Sequence, residues 1–194
     1  LPLWVSGVVL AALTAAVILG GITRIGAVAE KLVPAMCVLY IVCVLWVLGV
    51  FFDRIPAAFE LIITQAFAPT AAVGGFAGST MLMAMRMGVA RGIFSNEAGL
   101  GTAGIAQAAG QSTSPVFSGL VGMMGTFIDT IIVCTMTGLA IVVSGVWNSG
   151  ASGALLSTQG FEAAMPGVGK YVLALSLAVF AFTTILGWAY YGEK

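Results

Sequence analysis

The sequence predicts an all-α, polytopic transmembrane helix bundle, and three observations carry that prediction. Only 7% of the 194 residues are charged and 60% are apolar, with a mean hydropathy of +1.12; soluble domains carry roughly a quarter charged residues. Several uncharged runs approach the ~20 residues that cross a hydrocarbon core of about 30 Å as a helix. A glycine-rich interruption, TAAVGGFAGST at residues 70–80, breaks what would otherwise be another crossing.

Taken in order, residues 3–22 and 34–52 are apolar on every side, which fits lipid burial better than a soluble amphipathic stripe. Pro34 suits the first turn of the second span. IPAAFELIITQAF reads as an amphipathic helix, Pro69 restarts the chain, and MLMAMRMGVARGIF resumes helical composition after the glycines. This makes one crossing of two half-helices, about 57–94; the alternative is a re-entrant loop. SNEA at 95–98 reads as a helix start, with Ser95 or Asn96 capping and Glu97 in the first turn. A small-residue helix in a cytoplasmic connection follows it.

Residues 115–146 form a longer run, opened by Pro115 with Asp129 at its centre, whose length implies tilt or a projecting end. Between 147 and 170 the composition turns to Gly, Ser and Asn, an extramembrane loop with a short helix near 157–165. Residues 171–191 make the last span, with Trp188, Tyr190 and Tyr191 as an interfacial belt. Counting the broken segment as one crossing places Arg24, Lys31, Arg86, Arg91 and Lys194 on one side and Arg54 and Lys170 on the other. Basic residues concentrate in cytoplasmic loops, so the amino end lies outside and the carboxyl end inside. The chain opens LPLW, without Met or a basic leader, and ends at GEK, which predicts a single transmembrane domain fragment, 1–194, of a longer protein.

Several function classes are disfavoured. Net charge is zero and no block of like charge marks a nucleic-acid partner. The absence of histidine removes the commonest metal ligand and general base. Cys37, Cys43 and Cys134 lie in apolar runs without metal spacing and read as small buried hydrophobes. GLGTAG at 99–104 matches the letters of a dinucleotide fingerprint, but it follows a helical segment and not a strand, and no acid stands at the required distance. The chain reads as no enzyme and needs no cofactor.

Non-helical backbone at membrane depth survives only inside protein or against a wet cavity, so the break is a site candidate. Around Gly74, Gly75 and Gly78 the carbonyls of one half-helix suit a small cation and the amides of the next suit a carboxylate. Ser79 and Thr80 add hydroxyls and Phe76 an apolar wall. The competing reading is tight helix packing by small residues. Thr183 and Thr184 are adjacent hydroxyls near mid-depth, with Trp188 one turn beyond Thr184; they are hard ligands for sodium or simply bonded to their own helix. Asp129, with Thr126 and Thr130 on or near its face, marks an ion, proton or substrate path or a structural anchor.

RGIFSNEAGLGTAGIAQAA, FIDTIIVCTMTGLAIVVSGVW, AVGGFAG and FAFTTILGWAYYGEK together resemble the sodium:alanine symporter family of the amino acid, polyamine and organocation superfamily. The resemblance spans essentially all 194 residues. It implies the leucine-transporter fold, two inverted repeats with the first and sixth helices broken, of which this chain would supply the fourth to the eighth. On that mapping the 70–80 break belongs to the sixth helix and binds substrate, with Phe76 and Trp188 as pocket walls. Thr183 and Thr184 match the eighth-helix hydroxyl pair of a sodium site, and Asp129 falls where some relatives place a second sodium ligand. The function so implied is sodium-coupled symport of a small neutral amino acid, alanine or glycine, across the plasma membrane, with sodium as a co-transported ligand. The alternatives are proton coupling through Asp129, or a channel or structural membrane subunit.

Overall fold

The computed structural model describes residues 3–66, 81–97 and 99–193. Its elements are α1 (Leu3–Ile18), α2 (Gly21–Val50), a 3-10 turn (Phe52–Arg54), α3 (Ile55–Ala66), α4 (Met81–Asn96), α5 (Thr102–Ala109), α6 (Pro115–Phe127), a π-helical segment (Ile128–Cys134), α7 (Thr135–Ser144), a second 3-10 turn (Val146–Asn148), α8 (Gly153–Ala164) and α9 (Gly169–Glu193). Among the described residues there is no strand, as the all-α prediction requires. Among the described residues three helices are long and apolar enough to cross a membrane: Gly21–Val50, Pro115–Ser144, which joins α6, the π segment and α7, and Gly169–Glu193.

Several boundaries differ from expectation. The first span, expected over 3–22, ends as α1 at Ile18, and Gly21 already belongs to α2. The second span does not begin at Pro34: α2 starts at Gly21 and carries Pro34 in its interior. Residues 27–32, AVAEKL, are mostly good helix formers, and the helix runs through Pro34 despite the ladder bond its missing N–H costs. SNEA, in turn, ends a helix. Ser95 and Asn96 close α4, Glu97 adopts a left-handed φ of +54°, and Gly99 and Gly101 follow at +77° and +82°. Left-handed backbone at alternate positions cannot continue as helix, so the next one waits until Thr102. The helices expected in the small-residue connection and near 157–165 are present as α5 and α8.

The chain divides into two compact units, Leu1–Val42 with Tyr171–Lys194, and Cys43–Lys170. In the first, α1 stops at a tight turn where Gly20 leaves room for the folded-back side chain of Arg24; a Cβ there would fall on Arg24 Cδ. That side chain donates from Nη1 to the Ala16 carbonyl at 3.1 Å. It thereby satisfies one of the last carbonyls of α1 and sets positive charge at the negative end of the helix dipole. The Tyr40 and Phe180 rings meet edge to face at 5.5 Å and 84°.

In the second unit, Ala58 of α3 packs with Leu139 and Val143 of α7, and Leu48, Phe51, Ile55 and Val142 close around them. Arg54 lies 5.0 Å over the Phe51 ring and donates to the Val143 carbonyl at 3.4 Å, serving the C-terminal end of α7. On the other side of α7, Gly160 of α8 sits where a Cβ would come within 3.2 Å of Ser144 Oγ, and Phe161 is 2% exposed.

The corner into α9 is built from one carboxylate and one glycine. Glu162 Oε1 accepts the Gly167 N–H at 2.7 Å and Oε2 the Lys170 N–H at 3.0 Å, capping amides that the start of a helix leaves unpaired. The Gly167 N–H, followed by the Lys170 N–H, holds this exposed carboxyl below the usual carboxylate range. A Cβ on Gly169 would collide with the Phe161 carbonyl.

Two outcomes are expected. Gly169→Ala should destabilise the detergent-solubilised protein by about 1–3 kcal/mol through overpacking, whereas Gly49→Ala, in open space inside α2, should be neutral or mildly stabilising; equal melting temperatures would contradict the packing. A depressed folded pKa means that Glu162 contributes stability above the unfolded carboxylate pKa and loses it as pH falls through the folded value. Protection factors at Gly167 and Lys170, taken against the intrinsic exchange rate at each pH, should therefore fall selectively on acidification, and Glu162→Gln should remove that acid limb.

Candidate functional site

The glycine-rich break and its expected substrate ligands, Gly74, Gly75, Phe76, Gly78 and Thr80 with Ser79, lie outside the described residues. Two polar constellations within the apolar helices are described, one in each unit.

The first is on α9. Thr183 Oγ1 donates to the helix's own carbonyls, Val179 at 3.1 Å and Phe180 at 3.0 Å, and lies 3.7 Å from Met36 Sδ on α2. Thr184 Oγ1 donates to the same Phe180 carbonyl at 2.8 Å. Adjacent residues of an α-helix point about 100° apart, yet the shared acceptor draws both hydroxyls toward one oxygen. Thr183 Oγ1, Thr184 Oγ1 and Phe180 O thus form a cluster of hard oxygen donors. Each hydroxyl spends its single proton on a carbonyl and keeps lone pairs for an incoming cation. Trp188, one turn beyond Thr184, is 43% exposed and packs edge to face with Tyr191 at 5.7 Å.

The second constellation joins the end of α4 to the π segment. A π helix closes i→i+5 bonds, a rare arrangement found mostly at functional sites, and here it carries Asp129, Thr130 and Cys134. Ser95 Oγ donates to Asp129 Oδ2 at 2.5 Å. Thr130 Oγ1 donates to Asn96 Oδ1. Ser95 Oγ also lies 3.8 Å from Cys134 Sγ. Thr126, placed near Asp129 by the sequence, instead donates to its own helix at Gly122 O, 3.4 Å. Beside the pair, a groove of about 550 Å³ is lined in part by Asn96, Glu97, Gly99, Gly101 and Thr126. Thr102 Oγ1 donates to Glu97 Oε2 at 2.6 Å and fixes the carboxylate of that left-handed residue.

Sequence reasoning singled out Asp129 but missed its partners, because Ser95 and Asn96 read there as caps. The usable signal was the repeated spacing: a Ser-Asn pair ending an apolar helix, and 34 residues later an Asp-Thr pair inside the next long one. A carboxylate, two hydroxyls and an amide oxygen can hold a small hard cation or a proton.

A family model of the sodium:alanine symporter family matches residues 1–194. The chain is 45% identical over 194 residues to the sodium/alanine symporter AgcS of Methanococcus maripaludis, covering 98% of this chain and 42% of that protein. It is 35% identical over 188 residues to the probable sodium/glutamine symporter GlnT of Bacillus subtilis, covering 96% of this chain and 38% of that one. It is 32% identical over 208 residues to the sodium/proton-dependent alanine carrier protein of Bacillus sp. (strain PS3), covering 100% and 46%. The chain thus spans about two-fifths of the length of these relatives. Its long apolar helices and the family agree on a multi-pass membrane protein, and the family is one of transporters. On a match that runs from the first residue to the last, the chain belongs to the sodium:alanine symporter family.

Proposed function

We propose that the chain is the central part of a secondary active transporter that couples inward sodium movement to uptake of a small neutral amino acid, alanine or glycine, by alternating access. The observation that carries this reading is the family match along residues 1–194. The leucine-transporter arrangement is the fold we assign to the whole protein, with residues 70–80 as the broken helix that receives the amino acid through Gly74, Gly75, Phe76, Gly78 and Thr80, and Trp188 as a further wall. We place the protein in the plasma membrane with the amino end of the chain outside and the carboxyl end inside, on the distribution of lysine and arginine.

The ion site is assigned to Thr183 and Thr184. Their convergence on the Phe180 carbonyl supports this, because three neutral oxygens within one turn suit a weakly bound, rapidly exchanging monovalent cation. Sodium here is cargo, bound and released in each cycle. In a full-length transporter carrying this segment, replacing both Thr183 and Thr184 with Val should abolish sodium-dependent alanine uptake while membrane insertion is preserved. Unchanged uptake would remove the pair from the ion site.

A second reading makes Asp129 a proton carrier or a sodium ligand, favoured by its carboxylate inside a membrane-length helix and by the name of the strain PS3 relative. Asp129→Asn should raise the sodium concentration for half-maximal uptake if Asp129 binds sodium. If it carries protons, the same variant should instead abolish uptake driven by an imposed pH gradient without sodium.

A further inference from the structure

Hydroxyls on apolar helices satisfy themselves locally, donating to a carbonyl three or four residues back. Thr64, Thr126, Thr137, Ser176, Thr183 and Thr184 all do so. Ser95 does not. It lies in the last turn of α4 and sends its proton across the helix interface to Asp129. One residue on, Thr130 departs from the local pattern in the opposite direction, donating to Asn96. Two neighbouring bonds of opposite sense, 95 to 129 and 130 to 96, clasp the end of α4 to the π segment.

The local backbone supports the clasp from both sides. The wider π turn narrows the angle between successive side chains, so Asp129 and Thr130 can address consecutive residues of a single helix end. On the other side, Glu97 ends α4 immediately after Asn96 in a left-handed conformation that costs a non-glycine residue energy, and Thr102 holds its carboxylate.

We propose that Ser95 is a positioning residue for Asp129, its hydroxyl fixing the carboxylate in one orientation so that the ion-facing oxygen of Asp129 is presented from the π segment rather than swinging with the side chain. The inference rests on the second reading above, in the form that makes Asp129 a sodium ligand. A serine hydroxyl that donates to the carboxylate keeps its lone pairs, so Ser95 Oγ also stands next to whatever occupies Asp129.

The test measures sodium-dependent alanine uptake by a full-length transporter carrying this segment, reconstituted in proteoliposomes, for Ser95→Ala, Ser95→Thr, Ser95→Cys, Asp129→Asn and the Ser95→Ala/Asp129→Asn pair. Loss of a hydrogen bond to a charged group should raise the half-saturating sodium concentration about tenfold in Ser95→Ala with the maximal rate largely kept. Ser95→Thr should restore the wild-type value, and Ser95→Cys, a weaker donor of similar size, should fall between. In the Asp129→Asn background, Ser95→Ala should add nothing. A shift in Asp129→Asn with none in Ser95→Ala would overturn the positioning role and leave the Asp129 assignment standing, as would an equal Ser95→Ala shift in both backgrounds. Unchanged sodium dependence in Asp129→Asn would overturn the assignment and the inference together. If Ser95→Ala fails to insert, the Thr and Cys variants decide the same question.

Discussion

Hydrocarbon offers no hydrogen bonds, so every polar group on a spanning helix must find its partner inside the protein. That constraint sorts the polar side chains of this chain into two classes. Most hydroxyls fold back on the carbonyls of their own helix, as Thr137 does on Val133 and Ser176 on Val172. Singly they cost little and say little; Thr183 and Thr184 differ in sharing one carbonyl. A carboxylate is acceptor-only and has no such recourse, because the helix interior offers it no free N–H. Asp129 therefore has to be met from another helix, and Ser95 meets it.

The same requirement operates at the helix ends, where the last carbonyls and first amides are orphaned. Arg24 serves the end of α1, Arg54 the end of α7, and Glu162 the start of α9. Three of the few charged residues of the chain are thereby accounted for as end-caps, each with the sign that complements its helix dipole. Asp129 stands apart. It lies inside a membrane-length helix, in a π turn, and bonded to the last turn of α4, just before the left-handed Glu97. A carboxylate there is costly unless another helix meets it, and Ser95 does so.

Much of the fold was legible because lipid imposes a coarse rule on composition. The long apolar runs became α2, the 115–144 rod and α9, and the Gly-Ser-Asn stretch became a loop with α8 inside it. Boundaries were less legible where local preference and chain context disagreed. Pro34 signals a first turn, yet helix-favouring residues on its amino side carried α2 back to Gly21. Ser95 and Asn96 signal an N-cap, yet the glycines at 99 and 101 made the segment an ending. The importance of Asp129 followed from its charge alone. Its partners did not, since the contact joins residues 34 apart, and a π turn leaves no periodic mark in the sequence. The convergence of Thr183 and Thr184 on one carbonyl was likewise invisible, because adjacency on a helix predicts divergence.

The Thr183 and Thr184 oxygens of α9 are proposed to serve a sodium ion that travels with an amino acid. The most direct measurement follows radiolabelled sodium and radiolabelled alanine simultaneously into proteoliposomes of a full-length transporter carrying this segment, with sodium gradients imposed in either direction. Alanine should accumulate only when an inward sodium gradient drives it, sodium should enter with it in fixed ratio, and reversing the gradient should expel both. Alanine accumulation that proceeds without sodium, or sodium entry indifferent to alanine, would contradict that coupling.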